Sequence, residues 1–186
     1  MFQGTAAADH AEVAGKDQTH SQVALRMAAG PSNSGRAIVE LNPTAGFTAK
    51  GSIIFERVGD SVHISGVVEG LAPGKHGFHV HEHGDCSADD ASSAGGHFNP
   101  TQVMHGAPGA DTHHVGDLGN IEADGEGVAR VDLKSPTLRL HGQHSILGKA
   151  VIVHRHPDDL VSQPSGNAGP RVSCGVIRPI RSTATG

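Results

Sequence analysis

Residues 76–83 read HGFHVHEH, and their alternation decides the fold class. In a strand, residues two apart share a face. His79 and His81 therefore point one way, with His83 a further step along, while Phe78 and Val80 point toward a core. Two imidazoles at i and i+2 on one strand face can chelate a single metal ion. Outward from this segment the chain keeps the same short-strand character. Ala37–Leu41 (AIVEL), Gly51–Arg57 (GSIIFER) and Ser61–Glu69 (SVHISGVVE) precede it. Val128–Leu133 (VARVDL), Lys149–His154 (KAVIVH) and Cys174–Ile177 (CGVI) follow. These runs are β-branched and bounded by Pro or Gly, at a spacing near that of an all-β sandwich or barrel. No segment carries a helical period. Two long stretches, 84–120 and 155–171, read as irregular, and loops of that length in a compact domain are usually functional.

Composition narrows the function classes. The 186 residues carry 14 Lys and Arg against 19 Asp and Glu, a formal net charge of -5. That balance argues against nucleic acid as a partner, since phosphate binding needs a basic face. No apolar run is long enough for a membrane span. Trp and Tyr are absent, which removes the usual stacking platforms. Gly, at 26 residues, is about twice its usual ~7% share and signals many tight turns. The 15 His outnumber Lys and Arg together and raise the prior for metal.

The His residues are placed as ligands would be. The long 84–120 stretch offers His97, His105, His113 and His114, then Asp117, and His154 ends an apolar strand. Imidazole nitrogens with one carboxylate oxygen suit zinc, and an all-imidazole site suits copper. A His-rich solvated loop is the bland alternative. It explains neither the HxH on a strand nor the Gly- and Pro-bracketed series. The two cysteines, Cys86 and Cys174, read equally as buried thiols or as a bridge closing a long loop.

Five motifs in order, GFHVHEHGDC, SAGGHFNP, HVGDLGNI, VIVH followed by DDL, and GNAGPRVSCGVI, resemble the copper/zinc superoxide dismutases. The resemblance runs from about Arg36 to Ile180. It implies an eight-stranded Greek-key β-barrel flattened as a sandwich, an architecture of which this family is a standard example, with long metal-binding and active-site loops. It implies copper on His79, His81, His97 and His154. It implies zinc on His97, His105, His114 and Asp117, His97 bridging the two metals. It further implies a Cys86–Cys174 disulfide, Arg171 docking superoxide, and Asp158 linking a copper-ligand His to a zinc-ligand His. His76 matches a family His that bonds backbone near the site, and His144 also matches a structural position. His10, His20, His63, His83, His113, His141 and His156 carry no implied role, although His83 continues the HxHxH run and could touch a metal adventitiously.

The implied activity converts two superoxide radicals and two protons to dioxygen and hydrogen peroxide. A His-bound copper is alternately reduced and reoxidised beside a structural zinc. His97 exchanges a proton in each cycle, and Arg171 offers a fixed planar cation to the anion. The net charge repels superoxide. Two divalent metals, less one imidazolate and Asp117, leave about +2 locally before Arg171 is added. Such a field raises on-rates, and this family is a standard example of the effect.

Three features depart from the animal pattern. Residues 158–171 (DDLVSQPSGNAGPR) form a shorter segment with no Lys or Glu, so guidance beyond Arg171 is expected to be weaker, with Arg155 or Lys149 as candidate helpers. Pro170 stiffens the approach to Arg171. Cys86 directly follows Gly84–Asp85, as in bacterial members, which favours a periplasmic or extracellular enzyme although no signal peptide is visible. A copper-chaperone or buffering relative would usually lack a copper ligand or the docking Arg. A cupin would leave GDLGN and CGVI unexplained, and a zinc-storage protein would need neither Arg171 nor the disulfide.

Residues 1–34 read as a flexible, low-complexity tail, with Val23, Leu25 and Met27 alternating as a short strand fragment. Residues 35–181 read as the catalytic domain and 182–186 as a polar tail. The family dimerises in different ways, so the resemblance leaves a homodimer open.

Overall fold

The computed structural model describes residues 35–181. The tail readings for 1–34 and 182–186, including the strand fragment at Val23–Met27, lie outside the described residues. Nine strands form among the described residues: β1 Arg36–Pro43, β2 Lys50–Val58, β3 Ser61–Glu69, β4 Gly74–His81, β5 Asp117–Ala123, β6 Ala129–Ser135, β7 Ala150–His154, β8 Arg171–Val176 and the two-residue β9 Arg178–Pro179. The one helical element among the described residues is a 3-10 turn at Ser92–Ala94.

The strands pair in the order β2-β3-β6-β5-β4-β7-β8-β1-β9, and β1 also pairs with β2. Eight strands therefore close into an antiparallel barrel, with β9 added beside β1. Long ladders join β1, β2, β3 and β6 on one side and β5, β4, β7 and β8 on the other. The two halves meet at slight seams. One is the single pair Ala123–Ala129. The other is Asn42–Cys174 with Pro43–Ser173. That unevenness flattens the barrel into two facing sheets. β6 returns beside β3 after two strands in the other sheet, which is the Greek-key step.

Residue parity explains which face is which. Phe78 and Val80 of β4, Val151 and Val153 of β7, and Val172 of β8 enter the main core with Val39, Ile53, Phe55 and Ile64. The alternate residues of β7, Ala150 and Ile152, face outward with Cys174, which lies opposite Ile152 beyond the register shift at Val172, and pack with Ala91 and Ala94 in a second cluster under the loop after β4. His79, His81 and His154 share that outward parity, and register pairs His79 with Ile152 and His81 with Ala150.

Two boundaries differ from the sequence reading. β4 stops at His81, because the chain leaves the sheet and His83 is 62% exposed beside Glu82. The irregular stretch ends earlier than Asn120, since β5 begins at Asp117. Its DLGNIEA sequence lacks β-branched residues except Ile121. It is held as a strand by pairing with β4, Asn120 opposite Gly77 and Asp117 opposite His79.

Candidate metal centre

The outward face of β4, β7 and β8 is roofed by the 82–116 and 155–170 loops. The first loop returns to β4 through a bridge between His81 and His97. It stays there because Phe98 N–H donates to the Val80 carbonyl at 2.8 Å and Val80 N–H to the Gly116 carbonyl at 2.9 Å. Two buried groups result. His79, His81, His97 and His154 form one, and His97, His105, His114 and Asp117 form the other. Within each, one donor atom per residue lies within 4.8 Å of all the rest. His97 belongs to both, its ring centroid 4.0 Å from that of His79.

The outer nitrogen of each ring in the first group is fixed from behind. His81 Nδ1 meets the Gly95 carbonyl at 3.0 Å and His154 Nδ1 meets the Gly169 carbonyl at 3.0 Å. Carbonyl oxygens only accept, so those Nδ1 atoms carry the protons. His79 Nε2 donates to Asp158 Oδ2 at 2.8 Å. The remaining nitrogens, His79 Nδ1, His81 Nε2, His97 Nε2 and His154 Nε2, are buried without any hydrogen-bond partner. A buried orphan acceptor is costly. Four on neighbouring rings form a donor set that a metal ion satisfies, and an all-imidazole set suits copper.

The second group is arranged around Asp117. Its carboxylate lies 2.7 Å from His97 Nδ1, 3.0 Å from His105 Nδ1 and 3.2 Å from His114 Nδ1. His105 Nδ1 is close to Asp117 but not aligned to donate, so it too lacks a hydrogen bond. Three imidazoles and one carboxylate match the ligand chemistry of zinc. Main-chain N–H groups of His114 and Gly106 hold the other side of Asp117, at 2.8 and 3.2 Å. Asp158 spans the two groups: its Oδ2 holds His79 and its Oδ1 accepts from His105 Nε2 at 3.0 Å.

Electrostatics keep these side chains ready to bind a metal. Burial pushes His79 and His81 well below the ordinary imidazole value, helped by the neighbouring His97 ring. His154 is pushed down to about 4, burial again leading. His114 is lowered by burial against the opposing pull of Asp117. For Asp117, burial works to raise the pKa. Its hydrogen bond and charge interactions with His97, then the charge of His105 and the His114 N–H, hold it well below the carboxylate range. His79, His81 and His154, held neutral with their inner nitrogens unprotonated, need lose no proton to take a metal, whereas a His97 shared by both groups must give up its one N–H proton to serve both.

Arg171 opposes His154 in the β7–β8 register. Its Nη1 donates to the Ala91 carbonyl and its Nη2 to the Gly95 carbonyl, each at 2.6 Å. Gly95 O thus ties Arg171 to His81. Burial lowers the Arg171 pKa and Asp90 works against that, but a guanidinium stays charged at any ordinary pH. The surface hollow at Arg171 is lined by Thr44, Phe47, Asp90, Ser92 and Pro170. Cys86 and Cys174 are joined by a disulfide, Cα–Cα 5.9 Å, which anchors the 82–97 loop to β8.

Other His residues stand apart. His76 places its two nitrogens 2.9 Å from the His154 carbonyl and 2.7 Å from the Ala72 carbonyl. His113 bonds the His114 carbonyl, and His63 bonds Asp132 on the outer surface. His83 joins neither metal group. Sequence reasoning missed the carbonyls of Ala91, Gly95 and Gly169, which no residue type advertises. It also missed Asn120, whose side chain exchanges two hydrogen bonds with the Asp158 backbone, at 2.9 and 2.8 Å. The GNI run following GDL was the only available signal for it.

A sequence profile of the copper/zinc superoxide dismutases (SODC) matches residues 49–177. Superoxide dismutase [Cu-Zn] 3 of Arabidopsis thaliana is 47% identical over 126 residues, 64% of this chain and 76% of the relative. The crystal structure of the clock protein EA4 superposes with a TM-score of 0.76 at 43% identity, covering 83% of this chain and all of that one. With two His groups sharing one ring on a Greek-key barrel, the chain belongs to the copper/zinc superoxide dismutase family.

Proposed function

We propose that His79, His81, His97 and His154 hold copper and that His97, His105, His114 and Asp117 hold zinc, with Arg171 docking superoxide. The observation that carries this is the set of four orphan nitrogens, one from each ring of the first group, while the second nitrogen of His97 faces Asp117. Bound copper supplies one-electron oxidation of one superoxide and reduction of the next, and bound zinc supplies fixed positive charge.

The chain's own residues do the rest. Arg171 is presented as a rigid fork, because two carbonyls hold one edge of its guanidinium and leave other N–H groups for a diatomic anion. His97 Nε2 would take a proton from solvent in one half-reaction and give it up in the next, the second proton for hydrogen peroxide coming from solvent, while Nδ1 stays in the zinc group. Gly95 O, Gly169 O and Asp158 keep the protons of His81, His154 and His79 on the outer nitrogens, so the inner ones remain lone pairs. Metal analysis of single His→Ala variants tests the assignment. His81→Ala should lose copper and keep zinc, and His114→Ala the reverse. Loss of the same metal from both variants would overturn it.

Residues 35–181 are the proposed catalytic domain, supported by the span from β1 to β9. A periplasmic or extracellular location is the finer reading, supported by the disulfide, which persists in oxidising compartments. Pairing of two copies rests on the habit of the family, and sedimentation at micromolar concentration tests it.

A further inference from the structure

The Gln163 side chain does something that neither metal group requires on its face. His105 N–H donates to Gln163 Oε1 at 2.9 Å, and Gln163 Nε2 donates to the His105 carbonyl at 2.9 Å. One carboxamide thus satisfies both main-chain groups of a buried residue, as a neighbouring strand would. Asp158, five positions earlier in the same loop, holds the His105 ring through Nε2. His105 is therefore gripped at backbone N, backbone O and ring by one short segment, and its ring has only Nδ1 left, 3.0 Å from Asp117. Asn99 makes the same two-point grip on Val103, at 2.8 and 3.1 Å, so the chain entering His105 is fixed as well.

We propose that Gln163 is a positioning residue for the zinc group, a main-chain clamp that sets the direction of His105 Nδ1 and couples that group to the loop carrying Gly169 and Arg171. The inference rests on the reading of His97, His105, His114 and Asp117 as the zinc ligands. Coupling of this kind is reciprocal. Zinc on His105 stabilises the 158–171 segment, and the clamped segment raises zinc affinity by the same factor. The loop in turn supplies the carbonyl behind His154 and the backbone leading into Arg171. Partners behind metal ligands typically change affinity by about 10–100-fold. Gln163 is exposed while His105 is buried, so water replaces the clamp in part and the lower end applies.

The test compares Gln163→Met, Gln163→Glu and His105→Ala with the parent protein, each loaded with both metals. Met keeps the length and loses both hydrogen bonds. Glu keeps the acceptor for the His105 N–H and loses the donor to its carbonyl. Zinc release to excess chelator should be about ten-fold faster in Gln163→Met and intermediate in Gln163→Glu. Hydrogen exchange at the His105 amide should quicken in Gln163→Met and remain slow in Gln163→Glu. Cobalt(II) in place of zinc should show shifted visible bands in Gln163→Met, because the His105 ring is redirected. Zinc release within two-fold of the parent in both Gln163 variants, with zinc lost from His105→Ala, overturns the clamp alone. Zinc retained in His105→Ala overturns the zinc assignment instead.

Discussion

Removing the Cys86–Cys174 bridge should be among the costliest single changes to this fold. The bond closes a loop of 88 residues. In the chain-entropy description, a loop of that length restricts the unfolded chain by about 4.6 kcal/mol. Cys174 also packs with Ala91, Ala94, Ala150 and Ile152, so the double replacement Cys86→Ala/Cys174→Ala keeps the apolar character of that cluster. For a chain of this size each kcal/mol moves Tm by roughly 2–4 °C, giving a fall of roughly 9–18 °C. Calorimetry of the metal-free protein is the assay, since bound metals would stabilise both forms by mass action. The loss reaches the site as well. The 82–97 loop supplies Ala91 O and Gly95 O to Arg171 and Gly95 O to His81. Copper release from the loaded variant should therefore be faster. A Tm within about 3 °C of the parent, with unchanged copper release, would contradict this. It would show that the loop is held by its packing and hydrogen bonds, with little contribution from the bridge.

Arg171→Ile should cut the dismutation rate by well over half and leave both metals bound; loss of metal by elemental analysis would show that Arg171 acts on the ligands. Gly166 sits at φ +67°, and a Cβ there would collide with Asp158 Oδ1. Gly166→Ala should therefore displace Asp158 from His79 and His105 and speed release of both metals by about ten-fold, read by chelator competition. Acid should destabilise the metal-free protein in two steps. The folded His154 protonates only near pH 4, and His79 and His81 are likewise depressed. The unfolded chain takes those protons near pH 6.5, so stability is full above about 6.5 and falls as pH drops toward 4. Asp117, depressed in the fold, adds a further loss as pH falls below about 3.9. Urea midpoints at several pH values check the sign, and a midpoint that rises on acidification would contradict it.

The parity of HGFHVHEH carried much of the fold and half of the proposed copper group. His79 and His81 share a face because the strand period is two, and Phe78 and Val80 had to be core. His154 was legible for the same reason, as the end of a uniformly apolar strand. His97 was not placed by any local rule. Its position depends on the chain returning to β4 at His81, a tertiary contact that residue types do not encode. β5 was partly hidden because Gly119 and Asn120 weaken its strand character, yet Asn120 is needed to hold Asp158. The residues alone left the two cysteines undecided, and the family motifs pointed to their pairing. Least legible were the backbone carbonyls that fix tautomers and hold Arg171. Ala91 adopts φ +56°, a left-handed conformation unusual for a residue with a Cβ.

The proposed copper site should turn over superoxide beside the proposed zinc site that shares His97. Pulse radiolysis of protein carrying one copper and one zinc per chain, at two ionic strengths, addresses it most directly. The rate should approach roughly 10⁸–10⁹ M⁻¹s⁻¹, a ceiling for which this family is a standard example, and fall with added salt as the field around Arg171 is screened. Both metals bound, with dismutation no faster than that of the metal-free chain, would contradict it and leave a metal-buffering protein on the same barrel.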